Sequence, residues 1–216
     1  MRPLVAAAAA ALLAGACATQ RPPAPLAAAP APIEQYLAAI HADAARSEHE
    51  HDAAARAALS EDASRQADAC LAMDPKAAAC LYGHAIALGL EARAHPAHAG
   101  AALKEMLAAL DAAEAADPGY DEAGPARVRA LVLTRAPGWP LGPGDPVAGV
   151  AAARRAVSLR PRYPPNVLAL AEALVRSGDA GGARTAFQEA RDQAQKLPAS
   201  AERDEWLSEA NRGLQR

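Results

Sequence analysis

Residues 164–190 read PPNVLALAEALVRSGDAGGARTAFQEA, and their pattern is that of two helices joined by a tight turn. Small residues at Ala171 and Ala183 allow the two helices to approach closely, and Phe187 is large enough to fill the gap toward a neighbouring hairpin. Gly178 can adopt the left-handed conformation that ends a helix, and Asp179 can cap the next one. The stretch therefore predicts a helical hairpin.

Helix-ending prolines recur at equal intervals in the preceding sequence. They follow Asp74, Asp117 and Arg160 at intervals of 43 residues, and a further break follows the hairpin at Leu197-Pro198. Proline ends a helix because it lacks the N–H and clashes with the preceding turn. Evenly spaced stops of this kind predict a repeating hairpin.

Composition agrees with an all-α fold. Hydrophobic residues make up 52% of the 216-residue chain and aromatic residues only 3%, because much of the apolar content is alanine. Alanine is the strongest helix former, and no segment shows the alternation of β-branched residues typical of strands. Residues 33–72 are predicted to form a further hairpin. Residues 200–214 are predicted to form a terminal helix that buries Trp206 against the last repeat.

The hairpin at 164–190 matches the tetratricopeptide pattern, in which Ala-x3-Phe-x2-Ala occupies the second helix. The two preceding units are longer than the usual repeat of about 34 residues. We assign the surplus to their turns, at 95–100 and 137–144. The predicted fold is an all-α tetratricopeptide-like array (an α-solenoid) with long inter-helix inserts.

The amino terminus has the features of a bacterial lipoprotein signal. An apolar run ends in Leu12-Leu13-Ala14-Gly15-Ala16 directly before Cys17, and it is too short to span a bilayer. We predict a signal peptide over 1–16, lipidation of Cys17, an Ala/Pro-rich tether over 17–32 and the repeat domain over 33–216. Ordinary cleavage or an uncleaved anchor are the alternatives. Ala18 after the cysteine favours the outer membrane, with the domain facing the periplasm.

The second insert is rich in proline and glycine, with Trp139 at its centre between Pro137 and Pro140. Prolines stiffen such a loop, and a rigid exposed tryptophan offers a large contact area. We predict that Pro137, Trp139 and Pro140 contact a partner or ligand. The alternative is that Trp139 packs back over its own hairpin.

Cys70 and Cys80 lie on either side of the turn at Asp74-Pro75, where a disulfide could form in an oxidising compartment. Two buried free thiols are the alternative.

Several functions are disfavoured. A net charge of −3 provides no electrostatic footprint for nucleic acid. His49 and His51 are two residues apart and point to different faces of a helix, so no metal site is predicted. The chain contains none of the common catalytic motifs, and we expect neither an enzyme nor a cofactor.

Five short motifs within residues 69–178 form a recognisable pattern. They are Gly124-Pro125-x-Arg127, Ala136-Pro137-Gly138-Trp139-Pro140, Gly144-Asp145, Ala156-Val157-x-Leu159-x-Pro161-x-Tyr163-Pro164-x-Asn166 and Leu170-Ala171-Glu172-x-Leu174. With these motifs the chain resembles the TatT family of tetratricopeptide-type lipoproteins, the T component associated with TRAP transporters.

The resemblance implies a periplasmic helical lipoprotein that can form homotrimers, works beside the transporter's solute-binding protein and takes an apolar ligand. It adds Tyr163 and Asn166 to the expected partner- or ligand-binding residues. A general envelope scaffold for protein–protein interaction is the alternative function.

Overall fold

The helices follow one another along the chain as antiparallel hairpins. The computed structural model describes residues 32–215, so the predicted signal peptide, Cys17 and most of the tether lie outside the described residues. The helices in this part of the chain are α1 Ile33–His49, α2 Ala53–Met73, α3 Ala78–Ala94, α4 Ala99–Ala116, α5 Tyr120–Arg135, α6 Pro146–Leu159, α7 Pro164–Ser177, α8 Ala180–Gln195 and α9 Ala201–Leu214.

The hairpins stack so that every second helix forms a continuous row. Helix α1 contacts α3, α3 contacts α5, α5 contacts α7 and α7 contacts α9, and each helix also packs on the next one along the chain. Across residues 32–215 no strand is present. The even-numbered helices are further apart, and Arg155 of α6 reaches Glu114 of α4 through its side chain at 3.0 Å. The predicted all-α hairpin array is confirmed.

Alanine dominates the core, as the composition predicts. In the last hairpin the buried residues include Ala171, Ala183, Ala186 and Ala190, which allow α7 and α8 to lie close together around Phe187. Trp206 of α9 is half-buried and packs against this cluster from the outside. The terminal helix therefore covers the end of the array, as the sequence predicts for a solenoid cap.

The predicted helix ends agree with the structure at three turns. Gly178 has φ +89° and lets α7 end in the left-handed conformation, after which the Asp179 side chain accepts from Gly182 N at 2.8 Å. Asp145 caps α6 through the amides of Val147 and Ala148, and Ser200 caps α9.

The first insert is smaller than predicted. Residues 95–100 contain only one 3₁₀ turn, Pro96–His98, before α4 begins at Ala99. Much of the surplus instead lengthens the helices, since α3 and α4 have 17 and 18 residues whereas α7 and α8 have 14 and 16. Alanine-rich sequence continues a helix readily, so length alone does not show where extra residues go. The second insert is a loop, as predicted.

Cys70 and Cys80 are joined by a disulfide across the turn between α2 and α3, with their Cα atoms 5.3 Å apart. Both cysteines are fully buried. The bridge closes a short loop with a sequence separation of 10 residues. We expect replacement of both cysteines by alanine to lower the free energy of unfolding by about 3 kcal/mol, because the cross-link restricts the unfolded chain.

Urea unfolding of the oxidised protein and of the double variant measures this difference. Wild-type protein with dithiothreitol should approach the variant's stability. Non-reducing mass spectrometry that finds both thiols free in the native protein would contradict the prediction.

Asp43 is a buried carboxylate between α1 and α2 with incomplete partners. Arg46 donates to Oδ1 at 3.3 Å, whereas Oδ2 has no hydrogen-bond partner within residues 32–215. Burial, reinforced by the nearby Asp62 carboxylate, raises the pKa of Asp43 above its ordinary 3.8. Folding therefore favours the protonated acid, and this stabilisation is present below the ordinary pKa and lost as pH rises through the raised pKa.

We expect Asp43→Asn to increase the free energy of unfolding at neutral pH by on the order of 1 kcal/mol, because the amide carries no charge to bury. The gain should shrink as the pH falls toward the ordinary pKa of aspartate. Urea titrations at neutral and acid pH test this, with the exposed Asp68→Asn as control. A variant less stable than wild type at neutral pH would contradict it.

Candidate interaction surface

Residues 136–145 form the connection between α5 and α6, which we call the Trp139 loop. Both of its ends are fixed to the last turn of α5: Ala136 N donates to Val132 O at 2.9 Å, and Asp145 N donates to Leu133 O at 2.8 Å. The Asp145 side chain then accepts from two amides at the start of α6, at 3.0 Å each. The loop is thus attached to two helices through backbone and side-chain hydrogen bonds.

Hydrogen bonds inside the loop hold its two halves together. Gly144 N donates to Pro137 O at 2.9 Å, and Leu141 N donates to Gly138 O at 3.1 Å. A Cβ at Gly144 would collide with the Ala136 carbonyl, so this close approach requires glycine. The Trp139–Pro140 peptide bond is cis. The loop therefore has a defined conformation set by its own residues.

Trp139 points into solvent. Its side chain is 91% exposed, Leu141 is 76% exposed, and Pro137 and Pro140 are also exposed. The alternative in which Trp139 packs back over its hairpin is therefore not what the structure shows. Large apolar side chains so fully exposed on a fixed loop are typical of an interaction surface.

The two inserts meet. Gly100, at the beginning of α4, faces the carbonyl oxygen of Leu141, and a Cβ at this glycine would lie 3.0 Å from that oxygen. The short first insert therefore lies against the Trp139 loop. The sequence places both inserts at hairpin turns but does not indicate that they touch.

An open groove of about 660 Å³ lies next to this loop, and Ala136 is at its edge. We call it the apolar groove. The C-terminal turns of α1, α3 and α5 meet there, and Glu48, Arg93 and Arg135 provide its charges. Its volume is within the range of small-molecule sites. The apolar walls include Ile86, Leu90, Leu103, Met106, Val128 and Val132.

Asn166 lies in the core, and its position does not fit the prediction that it contacts a partner. The side chain is fully buried and its Nδ2 lies 3.0 Å from Glu122 O, 3.3 Å from Ala156 O and 3.2 Å from Arg160 O. Its Oδ1 accepts from Arg127 Nη1 at 3.2 Å. The amide joins three backbone segments and acts as a structural residue.

The segment that Asn166 supports is a left-handed turn that the sequence does not predict. Asp121, Glu122 and Ala123 have φ angles of 47°, 54° and 64°. Residues with a Cβ adopt this conformation at a cost of roughly 1–2 kcal/mol each. Arg127 stabilises the turn by donating to Asp121 Oδ2 at 2.8 Å and to the carbonyls of residues 121 and 122.

Tyr82 and Tyr163 complete this polar cluster. Tyr82 OH donates to Asp121 Oδ2 at 3.0 Å, and burial raises the pKa of the Tyr82 phenol, which keeps it neutral. Tyr163 is half-buried, with Arg127 5.2 Å from its ring centre and Trp206 meeting it edge-on at 5.6 Å. Tyr163 also lines a cleft of about 510 Å³ with Trp206, so part of its ring remains available to a ligand.

The predicted site residues therefore separate into two groups. Pro137, Trp139 and Pro140 lie together on the exposed loop, whereas Tyr163 and Asn166 belong to the polar cluster around the left-handed turn. Within residues 32–215 no helix is long and apolar enough to cross a bilayer. The same residues contain no group of three or more His, Cys, Asp or Glu side chains suited to holding a metal ion.

Comparison with solved structures supports the fold. The chain is similar to the crystal structure of a thermophilic TPR protein of Thermus thermophilus, with a TM-score of 0.57 and 20% sequence identity. The similarity covers 85% of this chain and 93% of that protein. No family model and no curated sequence matches the chain. The fold is a tetratricopeptide-like helical array.

Proposed function

We propose that this protein is a lipid-anchored tetratricopeptide-like scaffold of the cell envelope that docks a folded protein through the Trp139 loop. The observation that carries the proposal is the 91% exposure of Trp139 on a loop fixed at both ends. A rigid aromatic side chain loses little entropy on binding and is the commonest kind of interface hot spot. An open apolar groove beside it extends the available surface.

The start of α1 lies far from the Trp139 loop. Helix α1 begins at Ile33 and ends at the apolar groove. The Trp139 loop lies next to the same groove, so it is near the C-terminal end of α1. Helix α1 has 17 residues and is about 25 Å long. A tether attached through Cys17 would therefore join the domain at the end opposite the loop.

We further propose that the partner is the periplasmic solute-binding protein of a TRAP transporter. This rests on the resemblance of residues 69–178 to TatT proteins. The Ala-Pro-Gly-Trp-Pro motif of that resemblance, residues 136–140, is the first half of the Trp139 loop. The apolar groove would receive an apolar solute, because its walls are mainly aliphatic. In this role the protein assists solute uptake and performs no chemistry of its own. A homotrimer belongs to the same proposal.

Binding of a purified TRAP solute-binding protein from the same organism tests the proposal. Trp139→Ala should weaken binding by about 2 kcal/mol, roughly thirtyfold, because it removes an interface anchor. The melting temperature should not change, because the side chain makes few contacts within the protein. The matched control is Val147→Ala, which alters a side chain of α6 that is 75% exposed and outside the loop.

A second variant tests the shape of the loop. Gly144→Ala should displace the loop, because the added methyl would collide with the Ala136 carbonyl, and binding should fall while the helix content is retained. Equal affinity of wild type, Trp139→Ala and Gly144→Ala for the solute-binding protein would contradict docking through the loop. Co-purification with secretion or outer-membrane assembly components alone would favour the general scaffold over the transport role.

A further inference from the structure

A second cavity, of about 420 Å³, lies between α5, α7, α8 and α9, and we call it the C-terminal cavity. It is separate from the Trp139 loop and shares only Arg135 with the apolar groove. All five of its charged side chains come from three helices of one row. They are Arg135 of α5, Glu172 and Arg176 of α7, and Glu209 and Arg212 of α9.

One ion pair in the cavity is complete. Arg135 donates to both oxygens of Glu172, from Nε at 2.8 Å and from Nη2 at 2.6 Å. This two-point contact fixes both side chains and occupies the carboxylate-binding edge of the guanidinium. Arg135 is therefore committed to Glu172.

Glu209 is the carboxylate of the cavity that has no partner among the described side chains. It is half-buried, yet among residues 32–215 its carboxylate receives no hydrogen bond and forms no ion pair within 4 Å. Burial raises the pKa of Glu209, Arg135 and Arg212 oppose this effect, and the Glu172 carboxylate adds to it. The Glu209 oxygens therefore remain available to accept hydrogen bonds from a bound group.

The helix ends around the cavity also favour a positive group. Helices α5, α7 and α9 end at Arg135, Ser177 and Leu214, within a few residues of the cavity lining. A helix carboxyl end carries a partial negative charge of roughly half a unit. Three such ends and the Glu209 carboxylate favour an ammonium group beside Glu209, since Arg135 is already paired with Glu172.

Two further arginines of the cavity carry the opposite charge. Arg176 and Arg212 are exposed, and neither forms an ion pair within the described residues. Arg212 donates to Ser208 Oγ at 2.7 Å, which positions its guanidinium. Val175 and Phe187 contribute the apolar part of the lining. Ammonium-binding, carboxylate-binding and apolar surfaces are thus combined in one small cavity.

We infer that the C-terminal cavity binds a free α-amino acid with an apolar side chain. The ammonium group donates to Glu209, the carboxylate accepts from Arg176 and Arg212, and the side chain packs against Val175 and Phe187. This site does not depend on the proposed docking of a partner through Trp139.

Three related compounds test the inference by isothermal titration calorimetry of the full chain. L-leucine has all three groups, 3-methylbutylamine lacks the carboxylate, and 4-methylpentanoate lacks the amine. L-leucine should bind at least about tenfold more tightly than either fragment, because each fragment lacks one set of charge-assisted hydrogen bonds. Failure of L-leucine to bind, or equal binding of either fragment, would overturn the inference.

Variants locate the binding site. Glu209→Gln should weaken L-leucine binding about tenfold or more, and it should fold normally because it removes an unsatisfied charge. Glu205→Gln is the control: the side chain is on the same helix, is exposed and does not line the cavity.

The double variant Arg176→Gln, Arg212→Gln tests the carboxylate-binding part of the site. It should reduce the affinity for L-leucine to that for 3-methylbutylamine. Trp139→Ala should bind L-leucine as wild type does, which separates this site from the docking proposal. Unchanged L-leucine binding in Glu209→Gln would overturn the assignment.

Discussion

Asn166→Ala is expected to lower the free energy of unfolding by about 3 kcal/mol or more. The substitution removes an amide that is fully buried and lies within hydrogen-bond distance of three carbonyl oxygens and the Arg127 guanidinium. Those buried groups would lose their partner, and water cannot easily replace it. The left-handed turn at 121–123 would also lose a contact that offsets its conformational cost.

Urea unfolding followed by circular dichroism measures this change. Asn211→Ala provides a matched control, because Asn211 is exposed on α9 and should change stability by less than about 0.5 kcal/mol. An Asn166→Ala protein as stable as the control would show that the amide is not needed to hold the three segments together.

Phe187→Ala is the second substitution with a large expected effect. Its ring is buried in the alanine-rich core of the last hairpin and lies directly against Gly213 of α9. The loss should be about 3–5 kcal/mol, because small neighbouring side chains cannot close the space left by the ring. Since α9 packs on this ring, its terminal turns should also lose protection in hydrogen exchange.

The control for Phe187→Ala is Val175→Ala, a truncation of an apolar side chain that is 40% exposed. That change should cost much less, because its surface is already partly in water. If Phe187→Ala unfolded at the same urea concentration as Val175→Ala, the packing of the last hairpin would not depend on the ring.

The local parts of the fold are predictable from sequence because their causes are local. Proline stops, the Gly178-Asp179 turn and the Asp145 cap depend on residues a few positions apart, and the structure contains all of them. The terminal helix, which contains Trp206, is likewise predicted from the spacing of its apolar residues. Repetition of the same signals along the chain then predicts the hairpin array.

The features that sequence reasoning missed depend on contacts between distant residues. Asn166 reaches Glu122, 44 positions away, and Tyr82 reaches Asp121, 39 positions away. No local signal shows that Asp121–Ala123 would be left-handed, although Pro125 marks the start of the right-handed part of α5. The contact between the two inserts and the charges around the C-terminal cavity arise only when helices from separate hairpins are stacked.

The sequence predicts which residues form the exposed loop but leaves the direction of Trp139 open. Proline and glycine predict that residues 137–144 are not helical, and the structure agrees. Whether the indole faces solvent depends on the hydrogen bonds at both ends of the loop and on its contact with the first insert.

Tryptophan fluorescence of a Trp206→Phe protein tests the central claim most directly, because Trp139 is then the only tryptophan in the chain. The emission of the free protein should resemble that of tryptophan in water and should be fully quenched by acrylamide. Addition of the purified solute-binding protein should shift the emission to shorter wavelength and protect it from quenching. Blue-shifted, protected emission in the free protein would contradict the exposure of Trp139, and an unchanged spectrum at saturating partner would contradict docking through the loop.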